Sequence, residues 1–153
     1  MKKTVSLVIL LVLAVSAAWA LNEDPNAALR KKIGPPVDPA LAEFERVKKI
    51  NNDLAITHFN AVLKKNPKDT QAYLKRGKAY KDNRDYEHAL PDFDKALSLD
   101  PKLTDAYIGR AVCHLMRNET DKAWEDVHQA EALGGQFWPA FMDALKEKSG
   151  RKT

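Results

Sequence analysis

The sequence is poor in the residues from which disulfide frameworks, soft-metal sites and phosphate-cradling loops are built. Cys113 is the only cysteine in 153 residues, so no internal disulfide can form and no Cys-x-x-Cys pair exists for zinc or haem attachment. Stability must come from packing, with Cys113 itself expected to serve as a small buried apolar side chain. The six glycines form no cluster of the kind that wraps a phosphate. His58, His88, His114 and His128 are scattered, with no two at metal-ligand spacing on one helix. His114 follows Cys113 directly and points to another side of a helix, so it is not placed as its base. No serine lies in a nucleophile-elbow context. The expectation is therefore a protein that is not an enzyme, with no catalytic residue, no metal and no cofactor.

Excess charge of one sign is also scarce. The formal net charge is +4, of which Lys2 and Lys3 supply two. Nucleic-acid binding asks for a clustered basic stripe, and no nucleic-acid partner is expected. Long apolar runs are confined to the N-terminus. A basic start, Met1-Lys2-Lys3, leads into the apolar Val5 to Val15 and then the small-x-small triplet Ala18-Trp19-Ala20. That order reads as a cleavable secretory signal over 1–20, giving a mature start at Leu21 and a periplasmic or secreted location. The run is short of the roughly 17–25 apolar residues of a membrane-spanning helix. An uncleaved tether, and with it a membrane association, is the alternative.

What the chain does contain is repetition. Thr70 laid over Thr104 brings Tyr73 onto Tyr107, Gly77 onto Ala111, Ala89 onto Ala123, Phe93 onto Val127 and Ala96 onto Ala130, all at an offset of 34. One period earlier, Ala55, Phe59 and Val62 fall under the last three positions, and Pro67 falls under Pro101. Within the unit, Ala72, Tyr73, Gly77 and Tyr80 share one side of a helix. Asp82 to Asp85 is a polar turn with Asp85 as an N-cap. Tyr86, Ala89, Leu90, Phe93, Ala96 and Leu97 recur at three- and four-residue spacing, and Asp100-Pro101 ends the second helix. Each unit is thus a helix–turn–helix. Pro91 falls inside its second helix, where its missing N–H leaves the carbonyl of Glu87 without a donor.

The run Tyr73-Leu74-Lys75-Arg76-Gly77-Lys78-Ala79-Tyr80, followed by Ala89, Phe93, Ala96 and Pro101, resembles the tetratricopeptide repeat, with Arg76 where that family usually has Leu. The resemblance implies an all-α fold, a short right-handed superhelical solenoid of antiparallel helix pairs. It divides the chain into a flexible leader over 21–35, a degenerate repeat over 36–69, repeats over 70–103 and 104–137, a capping helix over 138–148 and a tail over 149–153. In the third copy His114 replaces the second aromatic and Gly135 stands where Pro would be. In the first, Pro39 and Glu43 occupy the aromatic and Gly positions of its first helix.

The resemblance further implies a concave face lined by first helices. Its expected partner-binding residues are Gln71, Leu74, Lys75, Lys78 and Lys81, with Asp82, and then Asp105, Ile108, Val112 and Met116, with Gly109 and Leu115. Ala40, Leu41, Phe44 and Val47 would serve in the first unit. Three lysines beside an apolar band suit a protein or peptide carrying both acidic and hydrophobic residues. The lysine, asparagine and arginine set with which some members hold a partner's C-terminal carboxylate would fall on Ala40, Phe44, Lys75, Asp105 and Gly109, and none matches. The expected function is an exported adaptor or scaffold. The alternatives are end-to-end self-assembly into homo-oligomers through Phe137, Trp138 and Phe141, and a membrane-tethered accessory subunit.

Overall fold

The computed structural model describes residues 38–150, and the chain divides into two units, residues 1–42 and 43–153. The first unit contributes only Asp38 to Ala42 to the described residues, so the fold below is that of the second. The signal read over 1–20, the leader over 21–35 and the last residues of the tail lie outside the described residues. Within them the ordered elements are helices, with no strand: α1 Pro39–Lys65, α2 Thr70–Asp82, α3 Tyr86–Leu99, α4 Thr104–Met116, α5 Thr120–Ala132 and α6 Pro139–Ser149. No helix among the described residues is long and apolar enough to cross a membrane.

Local chemistry sets where the helices start and stop. The Asp69 carboxylate accepts from the backbone N–H of Ala72 at 2.9 Å and opens α2; Asp85 accepts from His88 at 3.2 Å and opens α3. Two helices end through a left-handed residue other than glycine, Arg84 at φ 62° after α2 and Asn118 at φ 60° after α4. In each, the next two N–H groups turn back on the last turn, Arg84 to Lys81 and Asp85 to Tyr80, then Asn118 to Leu115 and Glu119 to His114. These residues sit one period apart. One period earlier the same position is Ile50, a β-branched residue for which the left-handed region is a severe strain. No reversal forms there: α1 runs unbroken through 27 residues. The helix pair read from the sequence over 36–69 is thus a single helix.

The antiparallel pairs α2–α3 and α4–α5 stack in order, α3 against α4 and α2 beside α4, with α6 closing on α5. The landmarks of the repeat are the core. Ala89, Phe93 and Ala96, and their equivalents Ala123, Val127 and Ala130, are completely buried. Small side chains let α3 and α5 approach their neighbours, and larger ones fill the wider gaps. One cluster joins Leu74, Phe93, Leu97 and Cys113; the next joins Leu115, Val127, Phe141 and Leu145. Leu145 and Phe141 show what α6 does: it covers apolar surface that the last pair would otherwise expose. Pro91 does not interrupt α3. Pro91 and Glu87 are both exposed, so water can serve the carbonyl that lost its donor.

Candidate partner-binding surface

The surface expected to hold a partner starts from the sides of α2 and α4 that the core does not use. Gln71, Lys75 and Asp105 are exposed there, Ile108 and Val112 are half-buried, and Met116 is 49% exposed. Val112 also packs on the second apolar cluster. Leu74, expected beside them, is only 4% exposed and belongs to the core between α2, α3 and α4. It cannot touch a partner. Gly109 and Leu115 are buried as well: a Cβ at Gly109 would stand 2.5 Å from Phe93 Cζ, so Phe93 fills that space.

The three lysines divide. Lys78 Nζ donates to Asp105 Oδ2 at 2.6 Å, linking α2 to α4, and Lys81 Nζ donates to Asp82 Oδ1 at 2.7 Å. Lys75 has no ion-pair partner among the described residues. The positive character expected of this face is therefore concentrated at Lys75 on α2, and its apolar band is Ile108, Val112 and Met116 on α4. Ala40, Leu41, Phe44 and Val47 are exposed on α1, as are Ile50 and Leu54. At the other end Phe141 is buried, Phe137 half-buried and Trp138 51% exposed.

Sequence reasoning missed the polar staple that holds the repeats together. Arg76 donates from Nε and Nη2 to both oxygens of Asp92, at 2.8 and 2.6 Å, and from Nη1 to Asn60 Oδ1 at 2.7 Å. One period on, Arg110 donates from Nε and Nη2 to Asp126, the shortest distance being 2.6 Å, and from Nη1 to Asp94 at 2.6 Å. Each arginine thus ties its own second helix to the one before. Each guanidinium also lies 5.6 Å from the ring centroid of the tyrosine three residues earlier, Tyr73 or Tyr107. Asp92 and Asp126 are 4% and 2% exposed, and these bonds are what makes their burial tolerable. The signal was present in the repeat alignment: Arg, Asp and Asn/Asp recur together at 76/110, 92/126 and 60/94.

Electrostatics separates structural from reactive groups. Burial pushes the Asp126 carboxyl upward against the pull of Arg110, and the hydrogen bonds from Arg76 to Asp92 raise the Arg76 guanidinium. Burial pushes the Cys113 thiol up to about 12, which removes it as a nucleophile. His114 Nδ1 lies 2.8 Å from Glu119 Oε2, on the second-helix side of its pair. Among the described residues no group of three or more His, Cys, Asp or Glu could hold a metal ion.

Comparison with known proteins agrees with this geometry. A search of curated proteins finds no match to the chain. Among solved structures, the Arabidopsis OM64 TPR domain is similar at TM-score 0.57 and 21% identity, over 72% of this chain and 98% of that one. The TPR2B domain of yeast Sti1, solved as a pHsp70 complex, is similar at TM-score 0.58 and 21% identity over the same shares. Residues 70–103 match the tetratricopeptide repeat family model, and the stacked helix pairs around them have the fold of tetratricopeptide-repeat domains.

Proposed function

We propose that this protein is a scaffold that holds a segment of another protein on the face formed by α2 and α4. The observation that carries the reading is the band of Ile108, Val112 and Met116, left half-buried or exposed on α4, together with Lys75 on α2, which has no ion-pair partner among the described residues. The preferred segment is an amphipathic helix or extended peptide with an apolar side and an acidic residue to meet Lys75. The Sti1 domain of the same fold, solved with pHsp70, supports a protein-holding role. We further propose export by the N-terminal signal, so that the partner resides outside the cytoplasm; intact mass should begin at Leu21, and retention of residues 1–20 refutes it.

The binding test is affinity capture from the host's envelope fraction, with the parent beside Lys75→Glu and Met116→Asp. Both positions are exposed, so both variants should fold. A partner retained by the parent and lost by either variant supports this face, whereas identical capture by all three removes it. A second reading, self-association, is favoured by the exposed Phe44, Ile50 and Leu54 of α1. Sedimentation of the purified chain at rising concentration tests it, and a constant monomer mass rejects it.

A further inference from the structure

A cavity of about 410 Å³ opens where the α2–α3 turn meets α1. Asp53 and Ile56 come from α1, Tyr80 from the end of α2, and Asn83 and Asp85 from the turn; Lys49 stands at its side. The volume falls within the roughly 300–1,000 Å³ typical of small-ligand pockets. None of these residues belongs to the face of Lys75 and Ile108.

The repeat supplies its own reference for this cavity. One period on, the same positions hold a seated guanidinium. Arg117 donates from Nη1 to Glu87 Oε1 at 2.6 Å and from Nε to Glu119 Oε1 at 2.8 Å. Glu87 and Glu119 are the equivalents of Asp53 and Asp85, and Arg117 is the equivalent of Asn83. Around Asn83 both carboxylates are kept and the guanidinium is missing. The shorter Asn83 amide still reaches Asp53 Oδ1, at 2.8 Å, which preserves one half of the bridge. Glu119 is also met by Lys122 and His114, at 3.1 and 2.8 Å; the equivalents of those two are His88 and Tyr80. His88 stands on Asp85, its Nδ1 2.7 Å from Oδ2, as Lys49 stands on Asp53 at 2.7 Å, so what the cavity lacks beside its neighbour is the guanidinium that bridges the two carboxylates.

We propose that this cavity binds the guanidinium of an arginine presented by a partner protein or peptide, seated between Asp53 and Asp85 as Arg117 is seated between Glu87 and Glu119. Ile56 and the Tyr80 ring provide apolar walls for the side chain's stem. Asp85 Oδ1 also accepts the His88 N–H at 3.2 Å, a cap bond that Glu119 at the same place before α5 does not make, so a guanidinium at Asp85 must share the carboxylate with that cap. The site is independent of the α2–α4 face, so either can fail without the other.

The test is titration of the isotope-labelled full chain with N-acetyl-L-argininamide, followed by amide chemical shifts. Exposed ion pairs are weak, so an affinity on the order of millimolar is expected for so small a probe. Saturable shifts should centre on Ile56, Asn83 and Asp85, and the neutral citrulline analogue should produce none. Asp85→Asn, which keeps the cap, should weaken binding several-fold. Asn83→Arg should fill the cavity with its own side chain and abolish the response in a folded protein. Equal shifts from the citrulline probe, or a response untouched by Asn83→Arg, overturn the proposal. An equal response to N-acetyl-L-lysinamide overturns the guanidinium assignment.

Discussion

Phe93 is caught between two glycines on neighbouring helices, and substituting each tests the packing directly. Its ring is completely buried, with Gly77 of α2 on one side and Gly109 of α4 on the other. A Cβ at Gly109 would lie 2.5 Å from Phe93 Cζ and 2.7 Å from Cε1; at Gly77 the nearest ring atoms would be 3.1 and 3.2 Å away. Carbon atoms rest about 3.5–4.0 Å apart, so Gly109→Ala must displace the ring by about 1 Å, and Gly77→Ala by a few tenths. Overpacking of this kind costs about 1–3 kcal/mol. Alanine in place of glycine in a helix interior returns about 0.5–1 kcal/mol. Gly109→Ala should therefore lose about 1–2 kcal/mol, whereas Gly77→Ala should stay within about 0.5 kcal/mol of the parent. The double variant should lose more than the two together, because the space vacated on one side is what accommodates the shift from the other. Urea unfolding followed by far-UV circular dichroism reads these differences as midpoint shifts at constant m, about 0.5 M per kcal/mol. Trimming the ring with Phe93→Leu should recover part of the Gly109→Ala loss. A Gly109→Ala protein as stable as the parent, or more so, would show that Phe93 does not occupy this space.

The arginine staple predicts an asymmetric pair of outcomes. Asp126→Ala leaves Arg110 without its main partner and should cost about 2–3 kcal/mol, while Arg110→Met with Asp126→Leu should recover most of it in thermal unfolding; equal losses would refute the account. Glu119 is held down to about 2 from an ordinary 4.5, first by the hydrogen bond from Lys122 and then by those from His114 and Arg117. Its contribution to stability is fully present above pH 4.5 and lost as pH falls through about 2. Glu119→Gln should thus be less stable at neutral pH and converge on the parent across that interval; a constant gap down to pH 2 would refute the assignment. Cys113, buried with its thiol raised to about 12, should react with a thiol reagent only as the protein unfolds, so rapid labelling of the native chain would contradict its burial.

Much of the fold was legible because a helix writes its buried side into the sequence at three- and four-residue spacing, and the repeat wrote it more than once. Ala89, Phe93 and Ala96 and their equivalents needed no structure to be placed inside. The turn after α2 was legible from its polar residues. Its absence from α1 was legible in principle, from Ile50 at the position where Arg84 and Asn118 turn left-handed, but only once that backbone conformation was known. The candidate surface was read less well. Lys75, Ile108 and Met116 are accessible, whereas Leu74, Gly109 and Leu115 are buried by neighbours from other helices.

The sequence by itself determined the helices of the two later repeats, the Asp85 cap, the 34-residue unit and the apolar side of each second helix. These follow from interactions within a dozen residues and from periodicity around a single helix axis. Tertiary structure alone decided which charges remain available. Lys78 is matched by Asp105 and Arg76 by Asp92 across distances in sequence that no helical period encodes. A side chain's angle on its own helix says which way it points, and only the stacking of the next helix says what it meets there.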